Sequence, residues 1–232
     1  MLSQYYRETS GTLSFSREQG SNFAKKVAND FNPLHNVDSR RFCVPGDLLF
    51  SIAVKKYGIS RTMKFDFVNM VTENVRLVFP EPSDEMVIGD GHKTYFSVKR
   101  SGEVTHDPVL QENIINNYVT FSGHAFQHVV VPVMAERNVV LNPARPMVMY
   151  RSMSIELDRL DLTAPAIDFS GAIFEYEGKR GSITLPFGLV EDGETVGRGE
   201  KYMLISGIRE YNKEDMDVLI RMYSDYKSNN GN

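Results

Sequence analysis

Along the chain, stretches where apolar residues recur every three or four positions give way to stretches where they recur every second one. These switches divide it into elements. A short extended piece, Gly11 to Phe15, comes first. Ser16, with Gln19 three residues later, has the form of a capping box, and Phe23, Ala24 and Val27 then repeat at helical spacing as far as Asn29. Residues 30–45 are polar and hold Pro33 and Pro45, which predicts an ordered loop. Gly46 and Asp47 open a second helix that closes at Gly58. Nearly every position of 48–54 is apolar or small, the composition of a helix buried on most sides, as if wrapped by a sheet.

Strand-like segments follow over 64–79 and 85–104, with turn signals at Pro80-Glu81-Pro82 and Ser101-Gly102. Asp107-Pro108 starts a helical region running to about Asn138, after which strands return over 147–157, 166–176, 180–189 and 200–211. Asn212 caps a last amphipathic helix in which Met216, Leu219, Ile220 and Tyr223 repeat at spacings of three and four. Gly89-Asp90-Gly91-His92 and Gly197-Arg198-Gly199 read as hairpin turns, since neither opens a helix as a phosphate loop does. The order helix, helix, strands, then helix, strands, helix suggests two similar α+β halves packed together.

With 41% hydrophobic and 24% charged residues in 232, the chain has ample material for a core. A net charge of −4 argues against a general nucleic-acid binder, whose footprint is basic. The single Cys43 excludes an intramolecular disulfide and a cysteine-based zinc site, and fits a reducing compartment. No stretch approaches the roughly 18 apolar residues of a membrane span. The N-terminus lacks a basic region followed by an apolar one, so a cytoplasmic protein is expected, with no membrane partner.

The chemistry-bearing stretch is Asn29-Asp30-Phe31-Asn32-Pro33-Leu34-His35. It places a carboxylate and an imidazole five residues apart, on a segment stiffened by Pro33, which fixes its own φ and biases Asn32 to an extended conformation. Asp30 and His35 can therefore converge on one point, the arrangement that proton transfer to and from a water requires. Asn32 offers a neutral donor and acceptor beside them. The plainer account is a helix end, an Asn-Pro turn and a histidine bonded to a backbone carbonyl, for Asp and Asn before Pro are common turn residues.

The run from Asp30 to His35 follows a helix that begins near Ser14-Phe15-Ser16. It precedes Val44-Pro45-Gly46-Asp47-Leu48-Leu49. In that setting it resembles the Gly-Asp-x-Asn-Pro-x-His signature of the MaoC-like hotdog family, over about residues 11–58. The resemblance implies an α+β hotdog fold, a long central helix wrapped by a curved antiparallel sheet. Because 232 residues exceed one unit, it implies a double hotdog in one chain. Residues 1–106 would carry the motif and 107–232 would form a degenerate second unit; otherwise a homodimer supplies the second hotdog. The implied function is that of a hydratase or dehydratase, a lyase of fatty acid metabolism. It interconverts trans-2-enoyl and (R)-3-hydroxyacyl thioesters carried on coenzyme A or acyl carrier protein. Asp30 and His35 would activate water, and Asn32 would order the loop. A backbone N–H at Gly46 or Asp47 would polarise the thioester carbonyl. No metal or other cofactor is called for. Two alternatives share the fold: an acyl-CoA thioesterase, and a non-catalytic acyl-thioester-binding or interaction protein.

Three positions depart from the family pattern. Asn29 stands where glycine is usual, His35 is followed by one extra residue before Asp38, and Asp47 brings a carboxylate beside the implied oxyanion site. His124 and His128, four apart, put two imidazoles on one helix face without a third ligand and read as polar core or interface residues. Cys43 reads as a small buried hydrophobe.

Overall fold

The computed structural model describes residues 2–230 except Arg145, with the backbone alone for 222–230. Tyr223 therefore lies outside the described side chains. The N-terminal hairpin pairs β1 (Arg7–Thr9) with β2 (Thr12–Ser14), and α1 (Arg17–Phe23) follows. Its capping box forms as the sequence predicts: Ser16 Oγ accepts from the Gln19 N–H at 3.1 Å, and the Ser16 N–H donates to Gln19 Oε1 at 2.9 Å. The helix then widens into a π turn over Ala24–Ala28. Next come α2 (Gly46–Tyr57), β3 (Ile59–Phe67), β4 (Leu77–Val78), β5 (Glu85–Gly89) and β6 (Thr94–Thr105). The long helical region is α3 (Pro108–Ala125), a second π turn over Phe126–Val130, and α4 (Val131–Glu136). The remainder is β7 (Val139–Leu141), β8 (Met147–Leu157), β9 (Ala166–Phe169), β10 (Ile173–Glu177), β11 (Arg180–Glu191), β12 (Glu194–Ser206), β13 (Ile208–Glu210) and α5 (Lys213–Asn230).

Two hotdog units, each closed around its own long central helix, are not what forms. Strand β3 pairs antiparallel with β8, Thr62 opposite Glu156 through Asp66 opposite Ser152, and this seam joins all the longer strands into one eleven-stranded sheet. The helix expected at the centre, α2, has only 12 residues. It lies beside α3 on the sheet: Phe50 meets Phe65 of β3 at 5.0 Å and Tyr118 of α3 at 4.8 Å, while Tyr118 meets Phe187 of β11 at 6.0 Å. The Gln111 amide donates to the Val54 carbonyl at 2.8 Å and locks the two helices together. A satellite core gathers Val130, Met134, Val140, Ile183, Ile205 and Leu219 under α4 and α5.

Two local expectations also change. The segment 64–79 is not one strand, because the chain leaves the sheet after Phe67 and the Val44 N–H pairs with the Val71 carbonyl at 2.8 Å. Gly197 and Gly199 sit inside β12, and the two-residue turn is Asp192-Gly193, both at positive φ. Glycine is needed at 199 for space: a Cβ there would collide with the Phe187 ring and the Ser154 carbonyl.

Candidate functional site

The π turn ends at Asn29, whose φ of 52° and ψ of 33° are left-handed, a conformation Asn tolerates. The chain therefore breaks away from the helix at Asp30. Asp30 Oδ1 accepts from the Asn32 N–H at 2.8 Å, and Asn32 Oδ1 accepts from the Leu34 N–H at 3.1 Å, capping the short 3-10 turn Pro33–His35. Asn32 thus spends its carbonyl on ordering the loop. His35, 9% exposed, has Nδ1 2.7 Å from the Cys43 carbonyl, so that nitrogen carries the hydrogen. Its Nε2 faces Asp30 Oδ2 at 3.5 Å. The proline-braced loop brings acid and imidazole together.

Both groups border a cavity of about 120 Å³, which the segment 68–71 and the first turn of α2 also line. At α2 the arrangement differs from the expected oxyanion site. The Tyr150 ring lies so close on Gly46 that a Cβ there would come within 2.7 Å of it. Asp47 does not cap the helix but turns inward, 4% exposed, and its Oδ2 accepts from Ser122 Oγ at 2.6 Å. Its Oδ1 is buried without a hydrogen-bond partner among the described residues. Burial pushes the Asp47 carboxyl up, Lys201 and the Ser122 hydroxyl pull it back, and Asp30 raises it further.

Sequence reasoning missed the groups facing Asp47. Lys201, 5% exposed, donates from Nζ to Ser122 Oγ and stands 4.3 Å from the centre of the Tyr150 ring. The hydroxyls of Tyr150 and Tyr118 share a hydrogen bond, and burial holds both phenols well above the usual tyrosine range. A signal for Lys201 was available. On β12 it occupies the inward phase with Met203 and Ile205, and a lysine in that phase needs a buried partner. Ser122 gives no such signal, since serine on a buried helix face usually just fills space.

Cys43 borders the same cavity, but desolvation pushes its thiol up to about 12, so it is no ready nucleophile. Gly123 allows α3 to meet the π turn closely; a Cβ would strike the Ala28 carbonyl. On the other side of α3, the His124 and His128 rings pack edge to face at 5.6 Å beside a second cavity of about 520 Å³, and Asn29 Nδ2 reaches His124 Nε2. Among the described residues no three metal-binding side chains gather, and no helix is long and apolar enough to cross a membrane.

Among solved structures, the chain aligns with the tesB protein of Mycobacterium avium subspecies paratuberculosis at 9% identity and a TM-score of 0.39, covering 72% of this chain and 89% of that one. It also aligns with an acyl-CoA thioesterase II, TesB2, of Mycobacterium marinum at 10% identity and a TM-score of 0.40, covering 92% and 100%. Superposition this slight assigns no role to any residue. No curated protein matches.

The MaoC-like resemblance does not extend to family membership, because the family model that fits the chain is a different one. Asp, Asn and Pro are common loop formers, and five shared positions between two helices report a local turn. The hydratase or dehydratase activity, the lyase class and the place in fatty acid metabolism rested on that membership and fall with it. The aligned Mycobacterium marinum structure is described as an acyl-CoA thioesterase II, a hydrolase. The chain, matched over residues 1–214, belongs to the family described as "Protein of unknown function (DUF3581)".

Proposed function

We propose that this protein is a hydrolase that transfers the acyl group of a thioester to water at the cavity beside Asp30 and His35. The observation that carries the reading is the fixed orientation of His35. Its Nδ1–H is held by the Cys43 carbonyl, leaving the Nε2 lone pair toward Asp30 at the cavity wall. A water bonded to Nε2 and Asp30 Oδ2 attacks the thioester carbonyl. Its oxygen bonds to carbon, its proton passes to His35, and the C–S bond then breaks. The same proton reaches the departing sulfur, giving a carboxylic acid and a free thiol. Apolar walls from Leu49, Phe67, Met70 and Val148 suit a short acyl chain. The carrier we assign is coenzyme A or an acyl carrier protein, and the compartment is the cytoplasm.

The test is thiol release from butyryl-coenzyme A, followed with a chromogenic disulfide reagent. The parent turns over, while Asp30→Asn and His35→Ala lose on the order of 100-fold or more in kcat. A parent that binds the thioester without releasing thiol is an acyl-binding protein, and variants as fast as the parent remove Asp30 and His35 from the mechanism.

A further inference from the structure

We infer that Lys201 is the oxyanion-binding group of this cavity, donating to the carbonyl oxygen of a bound acyl group as that oxygen takes up negative charge. The inference rests on the hydrolase reading for the reaction, but the anion-binding role can be tested without turnover. Thioester hydrolysis puts a negative charge on the former carbonyl oxygen, in a space that already contains Asp30 and Asp47. Of the backbone expected to meet that charge, Gly46 has the Tyr150 ring packed close on its α-carbon.

Among the described residues bordering the cavity, Lys201 is the one lysine or arginine. Its ammonium has three N–H donors. Among the described residues one of these goes to Ser122, and the face of Tyr150 takes a share of the charge without accepting a conventional hydrogen bond. Donor capacity is left for a ligand. The group is also preorganised: Ser122 is anchored to Asp47, Tyr150 to Tyr118, and the backbone of β12 is paired on both sides by β8 and β11. A fixed cation in a mostly apolar cavity stabilises a nascent anion far better than one in water. The orphan Asp47 Oδ1 fits the same picture, because a buried acceptor on this wall calls for a bound donor, such as a second water beside the attacking one.

Two measurements on the full chain test this. In the first, Lys201→Met and Lys201→Gln are assayed for thiol release from butyryl-coenzyme A; the glutamine keeps a donor for Ser122 and guards against misfolding of the methionine variant. Both should lose on the order of 100-fold in kcat with KM within about threefold, and added methylammonium should restore part of the loss. A loss confined to KM, or none, overturns the role. In the second, butyrate binding is followed by calorimetry. The parent should bind it and both variants should not. Equal binding by parent and variants overturns the role whatever the turnover. Lysine-dependent butyrate binding in a parent that releases no thiol sustains the anion site and rejects the hydrolase reading instead.

Discussion

At the scale of single residues, Asp47 is where stability and chemistry conflict. Burial holds its carboxyl above the usual aspartate value, so the native state keeps that proton more tightly than the unfolded chain does. Ionising the group therefore costs stability. The cost is absent below the unfolded aspartate range, near pH 4, and grows as pH rises through the native value. Asp47→Asn removes the cost while leaving an acceptor for the Ser122 hydroxyl. Urea unfolding should show the variant more stable than the parent at pH 7, with the two converging near pH 3.5. A gap that stays constant between those pH values would show that the carboxyl's ionisation is not its origin.

At the scale of elements, the site depends on how α1 ends. The capping box starts the helix, the π turn adds the extra residue that swings its last carbonyls toward α3, and left-handed Asn29 releases Asp30. Ser16→Ala removes one half of the box and should cost about 1 kcal/mol, read as a shifted urea midpoint with an unchanged slope. Much of this element logic was legible in the sequence, because each decision is local. Ser16 and Gln19 are three residues apart, Asp30 and His35 five, and Pro33 restricts the few bonds between them. The strand assignments fared worse where the reason was not local. The chain leaves the sheet after Phe67 to close the cavity, and Gly199 yields space to a ring from the neighbouring strand.

At the scale of the molecule, the seam between β3 and β8 makes one sheet, and the main core draws on residues from Leu13 to Val196. We expect urea unfolding followed by backbone and by aromatic circular dichroism to give coincident, single transitions; two separated midpoints would show halves that fold independently. Short-range physics settles where helices begin and end, which segment is too apolar to be exposed, and that an acid and an imidazole can meet across a proline. It does not settle what faces them. Lys201 reaches Ser122 across 79 positions and Ser122 reaches Asp47 across 75, separations at which no spacing rule operates. Strand register and the bulge in β8 opposite Tyr202 and Met203 choose which β12 side chains turn inward, and helix packing chooses what they meet. A six-residue motif therefore suggested a family that the match over residues 1–214 replaced, and it held no sign of the long-range partners of Asp47.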